Sequence, residues 1–274
     1  MPQPPISSQH AQGLKPRKII GINRTGLYTL IKREVGRFAA VYMQTIVAPV
    51  ITTLLFYAIF ALAFGGIART IGQVPFLEFL APGLIMMAMV QNAFANTSSS
   101  IVIAKFQGSI VDVVMPPLSN MEFFTGFVMG GVIRGLAVGL VTGIAVSIFA
   151  PFNVVSPMVV VIYAVLGNVM MSALGLIAGI WSEKFDHIAA VTNFIITPLT
   201  FLSGTFYSVE SLPEMWHKIA LYNPFFYLID GFRSGFIGQA DGAITIGISI
   251  LVIMNIALAG LALQMLRTGY KMKT

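Results

Sequence analysis

The chain has 274 residues, of which 57% are hydrophobic and only 9% charged, against about 25% charged in an ordinary soluble domain. That leaves too little polar surface to cover a water-soluble globule, and the absence of cysteine excludes disulfides, thiolate catalysis and cysteine-held metals. The formal net charge of +6 does not point to nucleic acid, because the basic residues flank long apolar runs, where they report topology.

Residues 1–22 are rich in Pro, Gln and Ser and predict a disordered N-terminal segment. Beyond it, Leu27, Leu30, Ile31, Val35, Phe38 and Tyr42 recur at helical spacing, with Lys32, Arg33 and Arg37 on the other face. This predicts an amphipathic helix lying in the membrane surface. A bilayer needs about 20 apolar residues of helix, and the first such run covers roughly 43–64. The second covers roughly 76–98. Pro82-Gly83 interrupts it near its start, and Asn92, Asn96 and Ser98 make its far end polar.

Between the second and third spans, Phe106, Ile110, Val113 and Val114 form a short apolar face, which Pro116-Pro117 stops. Such a face needs a protein to cover it, either neighbouring helices or a partner. Ser119 and Glu122 have capping-box spacing and open the third span, roughly 123–149. There Gly131, Gly135, Gly139 and Gly143 fall on one face and permit close helix approach. Packing within one chain is favoured over a seam between two. Arg134 lies about 18 Å into this span at ~1.5 Å per residue. A charge there requires either a structural partner or a cavity where it meets an anionic substrate.

The fourth span, roughly 154–181, carries Gly175 and Gly179. The fifth, roughly 188–202, is the most polar, with Asn193, Thr197, Pro198 and Thr200. Residues 201–238 are too polar to span cleanly and too apolar for a free loop. Ser211 and Glu214 have capping-box spacing, Trp216 and Tyr222 suit a membrane interface, and Asn223-Pro224 breaks the chain. Asp230 and Arg233 then stand at ion-pair spacing. A helical hairpin re-entering the outer leaflet is predicted, fixed by that pair. The sixth span is roughly 243–266.

The expected fold is therefore an all-α integral membrane protein. It has six transmembrane helices, an N-terminal amphipathic interfacial helix and an outer re-entrant helical hairpin before the last span. Residues 23–274 form one transmembrane domain. Twelve of the 16 Lys and Arg fall on the side of the two termini, which places both in the cytoplasm.

Motifs for chemistry are few. No GxxxxGK[ST] occurs, and no HExxH. Phe201 stands where a GxSxG elbow around Ser203 would need its first glycine. The ten acids lie in loops or near span ends, so no mid-span proton carrier is apparent. An intramembrane enzyme has little support. A secondary transporter or channel independent of ATP is the alternative to an ATP-driven exporter.

The stretch Leu202-Ser203-Gly204, Leu212-Pro213, Asn223-Pro224, Tyr227 and Arg233, with VAPVITTLLFYAIF, FLAPGLIMM and AKFQGSI, resembles the type-2 ABC exporter permeases of bacteria. The likeness covers nearly the whole chain beyond residue 25 and is nearest to the multidrug or polysaccharide export branch. It implies a permease subunit in the bacterial inner membrane with no catalytic or metal site and no cofactor of its own. ATP and Mg would sit on a separate ATPase subunit, and a second permease copy, as a homodimer within membrane lipid, would complete the complex. By the same resemblance Lys105, Phe106, Gln107, Gly108, Ile110, Asp112 and Val113 form the ATPase-coupling helix. Gly108 departs from the pattern, since a helix-former would add up to about 1 kcal/mol there. The helix carrying Lys32, Arg33, Glu34 and Arg37 would also touch the ATPase. Asn92, Asn96, Asn193 and Thr197 would face a path for an amphipathic small molecule, lipid-linked glycan or similar substrate.

Overall fold

The computed structural model describes residues 21–64, 70–71, 74–110, 116–149 and 153–271. Residues 1–20 lie outside the described residues, as do Asp112 and Val113, so the expectations for them are not taken further. The helices are α1 (Arg24–Ala40), α2 (Ala48–Phe64), α3 (Phe76–Phe106), α4 (Asn120–Ser147), α5 (Pro157–Trp181), α6 (Phe185–Val191), α7 (Thr197–Leu202), α8 (Glu214–Leu221), α9 (Pro224–Ile237) and α10 (Ile244–Thr268). A two-residue ribbon, β1 (Thr70–Ile71) with β2 (Val74–Pro75), precedes α3. Among the described residues, six helical stretches are long and apolar enough to cross a membrane: Met43–Ala63, Phe76–Phe106, Asn120–Ser147, Pro157–Trp181, Phe185–Leu202 and Ile244–Thr268. The chain is an all-α integral membrane protein with six spans, as its apolar runs require.

α3, α4 and α5 form the buried centre, and glycine decides how closely they meet. A Cβ added at Gly131 would lie 2.3 Å from Ser172 Oγ, and one at Gly135 would lie 1.8 Å from Asn168 Oδ1. The stripe therefore packs α4 on its own neighbours, and only Gly143 at its end is uncrowded. Gly175 and Gly179 do the same for α5 against the α3 backbone at Phe94 and Ser98. Without a hydrophobic drive in lipid, such close backbone contact is what holds helices together. By contrast, α2, the fifth span (Phe185–Leu202) and α10 leave large side chains outward, among them Leu55, Ile59, Phe194, Ile253 and Ile256.

Several local expectations are corrected. α3 is not interrupted at Pro82-Gly83. It runs unbroken for 31 residues and extends eight residues beyond the expected end, to Phe106. Gly108, at φ +69°, then stops it, with its N–H bonded to the Lys105 carbonyl at 3.0 Å. Glycine there is a left-handed terminator, where a residue with a side chain is strained, rather than a weak spot inside a helix.

Turns of π-helix occupy Met43–Val47 and Thr192–Ile196. Each ends two residues before a proline, Pro49 or Pro198. A proline donates no hydrogen bond and its ring crowds the preceding turn, so the helix widens there.

The Ser119–Glu122 capping box forms, and the other Glu122 carboxylate oxygen accepts from the Asn23 backbone N–H, fastening the start of α1 to the start of α4. The Ser211–Glu214 box does not form. Pro213 is the N-cap of α8, Ser211 Oγ donates to the Ser208 carbonyl at 2.6 Å, and Glu214 pairs with Lys218 at 2.6 Å.

Candidate functional site

One face of the molecule gathers α1, the residues after α3, the residues after α5 and the C-terminal residues; the opposite face carries the α8–α9 hairpin. Helix α1 buries Leu30, Glu34 and Phe38, one turn apart, in a trough made by two glycines. A Cβ at Gly126 would lie 2.4 Å from Leu30, and one at Gly130 would lie 2.5 Å from Glu34. The expectation that Arg37 points away from the packed stripe is therefore corrected. Its Nη2 donates to the Asn96 carbonyl at 2.7 Å and to Asn96 Oδ1 at 3.0 Å, and its Nη1 to Ser99 Oγ at 3.3 Å.

Glu34, fully buried, accepts from Ser100 Oγ at 2.8 Å and from Arg37 at 3.2 Å, with Arg33 at 3.5 Å. Lys32 and Arg33 are exposed. Desolvating such charges is costly, and the surrounding hydrogen bonds offset that cost. The signal for Glu34 was its i, i+4 spacing with Leu30 and Phe38, which sets it on the apolar stripe of α1.

Arg134 is buried one step deeper. Its Nη2 donates to Asn92 Oδ1 at 2.8 Å, and Asn92 Nδ2 in turn donates to the Ala88 carbonyl at 2.9 Å. The structural partner foreseen as one of two options is thus present.

At the terminal face, Lys105 Nζ donates to the carbonyls of Gly179 and Ser182, each at 3.1 Å, and to that of Ile180. A cation there satisfies the orphan carbonyls of α5 and complements its dipole. The Phe106 ring lies 5.5 Å from that of Phe185. Glu183 pairs with Lys271 at 2.8 Å. That hydrogen bond, more than the bare charge, holds the Glu183 carboxyl below the usual carboxylate range and raises the Lys271 ammonium. The ends of the second, fourth and sixth spans are thereby tied together. Phe106, Gln107 and Gly108 are exposed. Ile110 is buried among Leu30, Ile101 and Phe123. The apolar face expected to await a partner is split: its own helices cover Ile110, while Phe106 stays open.

At the hairpin face, Arg233 is buried completely. Its Nη2 donates to the Gly204 carbonyl at 2.6 Å, and its guanidinium lies 3.7 Å from the Phe79 ring centroid. Gly83 makes room: a Cβ there would meet the Thr205 carbonyl at 2.7 Å and Arg233 at 2.9 Å. Asp230 instead accepts from the backbone of Asp241 at 3.0 Å and Gly242 at 2.9 Å. The expected Asp230–Arg233 ion pair is corrected. The two side chains diverge, one stapling the Ser203–Thr205 turn to α3 and the other capping the turn before α10.

Ser203 Oγ donates to the Thr200 carbonyl at 2.5 Å, and Gly204 takes φ +77°. Asn223 caps α9 and reaches back to the Leu199 carbonyl at 2.8 Å, with Pro224 in the first turn. Leu212 and Tyr227 pack on Val209 and Phe226, and Pro213 is exposed at the N-cap of α8. Phe206 stacks on Phe60 and on Phe201, each at 5.1 Å.

The four expected pathway residues do not share one wall. Asn92 and Asn96 are buried and engaged by arginines, Asn193 is exposed and Thr197 half-buried. A cavity of about 310 Å³ does open between α2 and α3, lined in part by Gln44, Thr52, Phe56, Leu84, Gln91 and Asn92. No cluster of three or more His, Cys, Asp or Glu able to hold a metal occurs among the described residues.

Six spans, a fastened surface helix and a stapled hairpin define a polytopic membrane domain. Residues 25–237 match the ABC-2 type transporter family, and the chain belongs to that family of transport permeases. It is 37% identical over 243 residues to the inner membrane transport permease YadH of Escherichia coli (strain K12), covering 89% of this chain and 95% of that protein. It is 21% identical over 190 residues to nodulation protein J of Rhizobium leguminosarum bv. viciae, covering 69% of this chain and 73% of that protein. Against nodulation protein J of Sinorhizobium fredii (strain NBRC 101917 / NGR234) the figures are 22% over 207 residues, 73% and 77%.

Proposed function

We propose that residues 23–274 act as the membrane subunit of an ATP-driven exporter in the bacterial inner membrane, with both termini in the cytoplasm. A separate ATPase subunit supplies the work, and a second permease copy completes the path. The substrate is an amphipathic small molecule, lipid-linked glycan or similar compound. The observation that carries this reading is the continuity of α3. One helix of 31 residues, about 46 Å long at 1.5 Å per residue, joins the exposed Phe106–Gly108 turn to the Arg233 staple. A push on that turn is delivered to the hairpin without passing through a flexible joint. The inner-membrane name of the Escherichia coli relative and the charge asymmetry support the location.

Phe106→Asp is the direct test. Phe106 is exposed and supports no packed core, so insertion and folding should be unaffected while ATPase-coupled transport is abolished. Ile110→Asp would not test coupling, because Ile110 is buried and the change would disturb the fold. Coupled transport by Phe106→Asp at the unmutated rate would overturn the docking assignment. Uphill transport that follows an ion gradient and ignores ATP would overturn the exporter reading and favour a secondary transporter.

A further inference from the structure

Arg134 carries a charge that its surroundings leave uncompensated. It is 8% exposed, donates one hydrogen bond to the neutral amide of Asn92, and its Nε has no acceptor. No carboxylate pairs with it among the described residues. Glu34, the acid of the adjoining polar cluster, is already engaged by Arg33, Arg37 and Ser100. Arg37 adds a second cation one turn along α3, at Asn96. A buried cation without a counter-charge costs several kcal/mol, so an anion brought near it gains correspondingly.

The cavity between α2 and α3 borders this charge, because Asn92 belongs both to its wall and to the Arg134 contact. Its lining is graded along the helix axes. Gln44, Gln91 and Asn92 lie toward the terminal face, while Phe56, Leu84 and Met87 lie toward the hairpin face. Gln44 and Phe56 are separated by about 18 Å of helix at 1.5 Å per residue. The Thr52 and Thr53 hydroxyls between them bond their own helix carbonyls, so the polar donors concentrate at one end. A wall that is amide-lined at one end, apolar at the other and backed by a cation is complementary to a single kind of molecule.

We propose that this cavity binds an anionic amphiphile. Its phosphate or carboxylate head would lie beside Gln44, Gln91 and Asn92, and its hydrocarbon against Phe56, Leu84 and Met87. This rests on the exporter reading only in naming the occupant as substrate; the binding itself does not.

The test uses the full chain in phosphatidylcholine nanodiscs, with binding read by native mass spectrometry. The probes are dodecyl phosphate, dodecyl maltoside and inorganic phosphate. Dodecyl phosphate binds more tightly than the maltoside, and inorganic phosphate alone does not bind. Arg134→Gln weakens dodecyl phosphate about tenfold, the scale of one charge acting from behind Asn92 across a poorly solvated gap, and leaves the maltoside unchanged. Arg134→Lys keeps the charge and largely restores binding. Should Arg134→Gln fail to fold, Gln44→Glu replaces an exposed residue and sets a like charge at the polar end; it weakens dodecyl phosphate and spares the maltoside.

Equal affinity for the two amphiphiles in the unmutated chain, or unchanged dodecyl phosphate affinity in Gln44→Glu, overturns the proposal. Two further arms separate the sources of the anion. Displacement by phosphatidylglycerol identifies a bilayer lipid, whereas stimulation of ATP hydrolysis in the complex with the ATPase identifies a transported molecule. Because binding is read without ATP, failure of the exporter reading leaves this result interpretable.

Discussion

Glu34 and Arg37 hold α1 to the centre of the membrane domain, and each makes the other tolerable. Replacing Glu34 with Ala leaves the Arg37 guanidinium against Asn96 with its counter-charge gone. Breaking a fully buried pair from one side costs about 3–5 kcal/mol; the partial exposure of Arg37 lets water take up part of that, so Glu34→Ala should lower the thermal midpoint clearly in detergent, by less than that full cost. Ser100→Ala removes a single donor to the same carboxylate and should cost about 1–3 kcal/mol. Equal, small losses for both would show that the carboxylate is not the centre of that contact. None of this follows from counting acids in the sequence, where Glu34 resembles any residue of a basic helix. What reveals it is the pair Gly126 and Gly130 on a helix nearly a hundred positions away, whose missing side chains make the trough that receives Leu30 and Glu34.

At the level of the element, the end of α3 distinguishes two readings of one residue. If Gly108 lay inside a helix, Gly108→Ala would stabilise the protein by up to about 1 kcal/mol. Gly108 takes φ +69° with nothing within 4 Å of an added Cβ, so the effect comes from the backbone alone. Gly108→Ala should therefore destabilise by about 1–2 kcal/mol, read as a lower thermal midpoint; a rise would restore the helical reading. The spans themselves were legible because roughly 20 apolar residues in a row admit few other structures. Their ends were less so. Phe106 continues α3 because hydrogen bonding continues until Gly108 terminates it, and hydropathy carries no record of that. The same blindness explains Ser211–Glu214. Its spacing matched that of Ser119–Glu122, but Pro213 took the cap position and only the earlier pair closed into a box.

For the whole molecule, the exposed apolar faces of α2 and of the fifth span are where a second copy would seat under the proposed scheme. The chain has no cysteine, so a single Ile59→Cys on α2 gives an unambiguous probe. Mild oxidation of membranes should produce a disulfide-linked pair in the assembled transporter. Efficient transport from a preparation that never cross-links at α2 or at Phe194→Cys would place the second copy elsewhere.

By itself the sequence determined the class: six spans, a surface helix, a hairpin before the last span, and a family that its motifs already resembled. Those features follow from local properties, namely the length of apolar runs, the placement of charge and the stops made by proline and glycine. Only the tertiary structure decided which polar groups meet. It turned Arg37 inward to Asn96, parted Asp230 from Arg233, buried Ile110 while leaving Phe106 open, and set Arg134 behind Asn92 at the edge of a cavity. Those pairings depend on how closely helices approach, which glycines far apart in the chain control jointly, and no local pattern encodes a distance between two helices.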